Sequence, residues 1–394
     1  MSAINAGLLH GNTSALILHL KNLFHASFLV MSMVKTARIR WIDQSKGIGI
    51  LLVVVGHALA DHNIFMSLYQ LIYAFHMPLF FCLSGYAWNS KVLARSIYYE
   101  LERNYKQLLV PYLFFGFSSY FILLSSLCNS NKEMTWQKLI QPVIELLVGL
   151  DARLSCGQMN AGLMNAPLWF FSCLFVTQMM YYILAKYMKN DIMIIGCAIV
   201  ISAIGHLYFY FGMPRLPMHA DVALQAILFF SIGVFCRNRG IIAERNVICI
   251  RFLVVSLLVF VVFYLSASSN VSVALAGPYG SIPLFYLAAM TGSWLVVIVA
   301  RCVNSSLVAY LGFMSITIFP AHDFIARYIY IPKVIGRIDW YSIKISEVLP
   351  WFDVKYSYMG YQVIVEIVLS CLLGISLIRF IPVLIGKRRV YIAY

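Results

Sequence analysis

Apolar runs long enough to cross a membrane recur along the chain, separated by short polar breaks. A helix needs roughly 20 apolar residues to cross the hydrocarbon core of a bilayer. The pattern therefore predicts an all-α, polytopic membrane protein with about ten transmembrane helices. The predicted spans are residues 44–62, 68–89, 109–127, 167–186, 191–211, 220–236, 252–268, 282–300, 306–325 and 361–381. The apolar stretch 139–150 is too short to cross and is predicted to be interfacial or re-entrant.

The same pattern divides the chain into three parts. Residues 1–34 form an N-terminal extension to which no role is assigned, because its apolar run is interrupted by polar residues. Residues 35–385 form the membrane domain, and residues 386–394 form a short cytoplasmic tail.

Composition and charge support this interpretation. The chain is 62% hydrophobic and 11% charged, whereas soluble domains carry roughly 25% charged residues. Its net charge is +14, and no basic stripe or nucleic-acid motif accompanies that charge, so no nucleic-acid partner is expected. With the N-terminus in the cytoplasm, 20 of the 29 lysines and arginines fall on the cytoplasmic side, as membrane insertion favours. An even number of spans then places both termini in the cytoplasm.

The first span carries candidate chemistry on one face. Lys46 and His57 are eleven residues apart, almost three helical turns, so they project the same way about 16 Å apart along the axis. Gly49 and Gly56 lie near this stripe and leave room for another helix or a thin ligand. Asp43 precedes Lys46 by three residues and is placed to pair with it.

The histidines share a level in the predicted topology. His76, on the second span, lies at a depth similar to that of His57, and all six histidines after residue 56 fall in the outer half or outside. A single membrane histidine is equally well explained by a hydrogen bond between helices. Several ionisable side chains at one level favour a polar cavity open toward the outside, since isolated burial in lipid is costly.

A basic pair begins the third span on its cytoplasmic side. Arg103 and Lys106 are three residues apart and are expected to share a helical face. Two fixed cations at a membrane surface can hold phosphates by charge-assisted hydrogen bonds. The alternative is ordinary charge that sets membrane orientation.

These residues lie within blocks that resemble the acyltransferase-3 family of bacterial inner-membrane O-acyltransferases. The blocks are IDQSKGIGILLVVVGHA, IYAFHMPLFFCLSGY, RNYKQLLVPY, PLWFFSCLF and LGFMSITIFPAHD. The family pattern of a basic residue, ten residues and a histidine corresponds to Lys46 and His57. Its Arg-x-x-Arg corresponds to Arg103 and Lys106, where lysine keeps the charge but lacks the planar fork of arginine.

Two further blocks of the resemblance supply supporting residues. The Ser-Gly-Tyr block corresponds to Ser84, Gly85 and Tyr86, and the late family histidine corresponds to His322. Asp43 is expected to position Lys46. Ser84 is predicted at the inner end of its span, far from His57, and is therefore not expected to be a nucleophile.

The resemblance implies acyl transfer from cytoplasmic acetyl-CoA to a hydroxyl of a surface or lipid-linked glycan, within the bacterial inner membrane and without a metal. Donor phosphates would lie near Arg40, Lys46, Arg103 and Lys106, and the pantetheine arm would follow the glycine stripe. His57 would be the general base or carry the acyl group itself. His76 would orient His57 or stabilise the oxyanion.

A secondary transporter or glycan flippase without acyl transfer is the alternative. Ten spans with embedded histidines also suit proton coupling. That function would need acidic residues within the spans, where Glu366 is the main carboxylate and Asp323 lies near an outer edge. No inverted repeat is visible.

Overall fold

A computed structural model describes residues 39–59, 66–129, 135–150, 165–242, 250–268, 281–303, 305–328 and 354–387. Over these residues the chain is a bundle of α-helices without β-strands. The N-terminal extension and residues 388–394 of the predicted tail lie outside the described residues. In chain order the helices are α1 (Arg40–Leu59), α2 (Met66–Tyr73), α3 (His76–Ala87), α4 (Ile97–Asn104), α5 (Val110–Asn129), α6 (Trp136–Val148), α7 (Trp169–Tyr187), α8 (Asp191–Tyr210), α9 (Ala220–Asn238), α10 (Ile250–Ser268), α11 (Ile282–Cys302), α12 (Ser306–Tyr328) and α13 (Val354–Phe380).

The all-α, multi-pass membrane prediction is confirmed. Within the described part of the chain, eight helical segments are long and apolar enough to cross a membrane. They include a segment that runs from α2 into α3 and one that runs from α4 into α5. The predicted spans 167–186 and 252–268 correspond to helices α7 and α10, which are not among these eight segments. The third span begins earlier than predicted, because α4 continues through a π-helical segment, Tyr105–Leu109, into α5.

The second span is divided by a break at residues 74–75, just before His76. Pro78 explains the position of this break, since it has no backbone N–H to offer the carbonyl of Ala74 and its ring would clash there. In α3 the proline occupies the first turn, where a missing N–H is tolerated. The break thus makes His76 the first residue of a new helix.

Two pairs of helices touch backbone to backbone through glycine. A Cβ atom at Gly47 of α1 would overlap the carbonyl oxygen of Val308 in α12. A Cβ atom at Gly85 of α3 would overlap the carbonyl oxygen of Phe230 in α9. Small residues at such contacts are the usual means by which membrane helices approach closely. The candidate site therefore lies among helices α1, α3 and α12, held at short separations.

Helix α6 presents an exposed apolar stripe. Trp136, Ile140, Ile144 and Leu147 recur at helical spacing and are all exposed, whereas Leu146 is buried against the bundle. A short helix with one apolar outer face suits the membrane interface. This arrangement fits the interfacial alternative for the stretch 139–150.

Candidate active site

Three histidines from three helices form an imidazole cluster around Tyr73, at one end of the bundle. The ring centroids of His57 in α1 and His322 in α12 are 5.0 Å apart. The Tyr73 ring lies 6.2 Å from that of His57 and 4.7 Å from that of His76. The structure thus brings together His57, His76 and His322, which are distant in the sequence.

The two deeper histidines of the cluster are held by backbone carbonyls. Nδ1 of His76 lies 2.9 Å from the carbonyl oxygen of Ile72, and Nδ1 of His322 lies 3.0 Å from that of Ile318. A carbonyl can only accept, so Nδ1 carries the proton in both rings and Nε2 is an acceptor in the neutral imidazole. His76 and His322 are 3% and 1% exposed, whereas His57 is half-buried. His57 is therefore the member of the cluster that a substrate can reach.

The remaining outer histidines belong to separate networks. Nε2 of His206 lies 2.8 Å from the hydroxyl of Tyr286, and Nδ1 of His219 lies 2.9 Å from the hydroxyl of Ser172. The outer histidines therefore do not form one group, and a polar cavity at the three of the imidazole cluster stays a prediction. His62 lies outside the described residues.

A cavity of about 430 Å³ lies nearer the opposite ends of the same helices. We call it the basic cavity, because Lys46, Arg103 and Lys387 contribute to its wall. Ser84 and Gln107 add polar side chains. The cavity can therefore offer several charge-assisted hydrogen bonds to an anionic ligand.

Arg103 is held in this wall by a buried carboxylate. Its Nη2 atom donates to Oε1 of Glu100 at 2.5 Å, and the amide of Asn104 donates to the same oxygen at 3.2 Å. Glu100 and Asn104 are fully buried. A buried carboxylate requires such partners, so the network fixes the guanidinium in one orientation. Sequence reasoning missed Glu100, although its spacing of three residues from Arg103 was a usable signal.

Two of the predicted donor-binding residues lie outside the lining of the cavity. Lys106 forms an ion pair with Glu102 at 2.5 Å, with both side chains more than half exposed. Arg40 is exposed and donates to the hydroxyl of Ser306 at 3.5 Å. The structure therefore divides the predicted set, with Lys46 and Arg103 at the cavity and Lys106 and Arg40 apart from it.

Lys387 is a cavity residue that sequence reasoning assigned to the tail. Its Nζ atom lies 3.4 Å from the ring centroid of Phe313, a cation–π contact. The preceding Gly386 has φ +67° and packs on the backbone of Lys106 and Gln107 in the π-helical segment, where a Cβ atom would crowd their carbonyl oxygens. The chain after α13 therefore folds back to complete the wall of the cavity.

The remaining predicted residues occupy supporting positions. Ser84 lines the basic cavity rather than the imidazole cluster. Tyr86 is buried; its ring packs edge-on against Trp41 at 4.9 Å, and its hydroxyl donates to the carbonyl of Ile242 at 3.3 Å. Asp43 lies one turn before Lys46 on α1, and its pairing with that lysine stays a prediction.

Comparison with known proteins adds a family match. A family model described as an acyltransferase domain matches residues 39–377. The nodulation protein NolL of Sinorhizobium fredii is 42% identical over 79 residues, covering 18% of this chain and 22% of the relative. The nodulation protein NolL of Mesorhizobium japonicum is 38% identical over 79 residues, covering 18% and 21%. These alignments span only about a fifth of each relative. No solved structure matches.

Proposed function

The chain belongs to the acyltransferase family whose model spans residues 39–377, and from this premise we propose that it is a membrane O-acetyltransferase. Its donor would be cytoplasmic acetyl-CoA, and its acceptor a hydroxyl of a surface or lipid-linked glycan at the outer side of a bacterial inner membrane. One observation carries the proposal. Helix α1 brings Lys46 into the basic cavity and, about three turns later, His57 into the imidazole cluster.

The basic cavity suits the phosphate groups of the donor. Lys46, Arg103 and Lys387 would bind phosphate oxygens, with the guanidinium held ready by Glu100. The thioester would then lie toward the imidazole cluster. This assignment requires the basic end of the bundle to face the cytoplasm, as the distribution of lysine and arginine along the sequence favours.

His57 would act as the general base on the acceptor. The imidazole takes the proton of the acceptor hydroxyl while that oxygen bonds to the thioester carbonyl carbon. The tetrahedral intermediate then collapses with breakage of the C–S bond, and the departing CoA thiolate receives the proton from the imidazolium. Transfer of the acetyl group first to a nitrogen of His57, and then to the hydroxyl, is the alternative order.

The neighbouring histidines support a positioning role. Because Nδ1 of His76 donates to a backbone carbonyl, its neutral ring has no second N–H to donate to an oxyanion. Of the two roles expected for His76, orienting His57 therefore fits better than stabilising the oxyanion. His322, whose ring is 5.0 Å from that of His57, would help to hold the same imidazole.

Substitution of the base tests this proposal. His57→Ala should lower acetyl-CoA-dependent release of CoA by about 10²-fold or more, the usual contribution of a general base. Acetylation of the host glycan, measured by NMR in a strain with no other transferase, should be lost. His206→Ala is the matched control, because that buried histidine bonds to Tyr286 outside the imidazole cluster.

The outcomes separate the two function classes. Normal glycan acetylation with His57→Ala would show that the catalytic assignment is wrong. Uptake of a glycan or solute by proteoliposomes, without release of CoA from acetyl-CoA, would instead support the transporter alternative.

A further inference from the structure

Three phenylalanine rings from three helices meet at one part of the basic cavity. Phe80 of α3, Phe170 of α7 and Phe319 of α12 all contribute to its lining. The ring centroids of Phe170 and Phe319 are 5.2 Å apart, and those of Phe80 lie 5.9 Å from Phe170 and 6.3 Å from Phe319. Each ring is at least nine-tenths buried. We call this group the aromatic triad.

The triad lies between the basic cavity and the imidazole cluster. Phe319 precedes His322 by one helical turn, and the two ring centroids are 6.4 Å apart. Phe80 follows His76 by one turn of α3. Along both helices, therefore, the rings occupy the level just below the imidazoles. A group that moves from the cations to His57 along these helices would pass the three rings.

The glycine stripe of α1 is occupied by aromatic rings. A Cβ atom at Gly49 would lie 3.1 Å from Cζ of Phe80, and one at Gly56 would lie 3.1 Å from Cε2 of Tyr73. The space predicted for the pantetheine arm is therefore filled at the level of Gly49 by the ring of Phe80 and by Cδ2 of Leu79, which is equally close. The absence of a side chain at Gly49 lets this ring lie flush against α1.

We propose that the aromatic triad is a barrier that separates the basic cavity from the imidazole cluster and opens when the acyl-bearing end of the donor passes. An enzyme that joins a donor on one side of a membrane to an acceptor on the other needs a passage that does not conduct water and protons. Apolar constrictions remain closed to water without a covalent seal. The passage of an acyl group rests on the proposed function, whereas the barrier itself does not.

Proton permeability of reconstituted vesicles tests the barrier. Purified protein is placed in liposomes that contain a pH-sensitive dye, and the external pH is stepped. Vesicles with Phe80→Ala or Phe319→Ala should equilibrate about tenfold faster than those with the wild-type chain, because the constriction is widened. Phe285→Ala is the matched control, since Phe285 is fully buried but does not line the cavity.

Phe319→Leu provides a second variant that keeps most of the apolar volume while removing the ring. If all three triad variants are as tight as the Phe285→Ala control, the barrier proposal is overturned. A leak in the triad variants supports it even if the protein never transfers acetyl groups, so failure of the proposed function is distinguishable from failure of the barrier.

Gly49→Ala tests the opening step separately. The added methyl group would press on the Phe80 ring and on Cδ2 of Leu79. We expect unchanged binding of acetyl-CoA, tight vesicles and slower release of CoA per bound donor. Unchanged turnover in this variant would show that the Phe80 ring does not have to move.

Discussion

At the scale of single residues, the structure places Lys46 and Arg103 at the basic cavity and Lys106 outside its lining, and no spacing rule points to Lys387. Lys106 lies in a π-helical segment, whose turn is wider than that of an α-helix. A separation of three residues therefore no longer places it on the face of Arg103. Lys387 reaches the cavity through the fold of the chain after α13, which no local pattern records.

This difference between the two lysines predicts their effects on donor binding. Lys387→Met should raise the dissociation constant for acetyl-CoA about tenfold, because a charge-assisted hydrogen bond to a phosphate contributes roughly 1.5–3 kcal/mol. Lys106→Met should change it much less, since that side chain pairs with Glu102 outside the cavity. Isothermal titration of the purified variants measures both. Equal losses would contradict the division of the cations described above.

At the scale of elements, the hydropathy pattern predicted the spans but not their breaks or contacts. The break in the second span lies at residues 74–75, before Pro78, and not at the proline itself. The reason is that the lost hydrogen bond belongs to the carbonyl four residues earlier. Likewise, the contacts of α1 with α12 and of α3 with α9 depend on which glycines face a neighbour, which one sequence does not specify.

The contact between α3 and α9 gives a stability prediction. Gly85→Ala should destabilise the protein by about 1–3 kcal/mol, the usual cost of overpacking, since the new methyl group would overlap the carbonyl of Phe230. Gly196→Ala is the control, because a Cβ atom there meets nothing within 4 Å. Thermal unfolding in detergent, followed by size-exclusion chromatography, compares them. A melting temperature for Gly85→Ala equal to that of the control would refute the close contact.

At the scale of the whole molecule, the two polar groups are separated along the axes of the helices. The cations of the basic cavity and the imidazole cluster lie toward opposite ends of α1, α3 and α12. Sequence reasoning recovered this separation, because charge distribution and helix length fix which residues share a level. It could not recover the aromatic triad, since phenylalanines facing a passage have the same pattern as those facing lipid.

Two exposed free cysteines allow the orientation to be tested. Cys302 is the last residue of α11, close to the start of α12. There Ser306 contacts Arg40 in the first turn of α1, so Cys302 marks the end of the bundle that holds the basic cavity. Cys128 lies at the far end of α5 from the basic cavity. In intact spheroplasts, a membrane-impermeant maleimide should label Cys128 at once and Cys302 only after permeabilisation. The variants Cys128→Ser and Cys302→Ser identify which cysteine gives each signal. The reverse order would place the basic cavity outside the cell.

The return of the chain onto the π-helical segment has a practical consequence for anyone who handles the protein. Gly386 packs against the backbone of Lys106 and Gln107, and the next residue, Lys387, lines the basic cavity. Proteolytic trimming that reaches this point, or an affinity tag that pulls on it, would alter the basic cavity, whose wall also includes Lys46 of the first span. Purification tags should therefore be kept away from this segment, and the mass of an inactive preparation should be checked by mass spectrometry before its inactivity is interpreted.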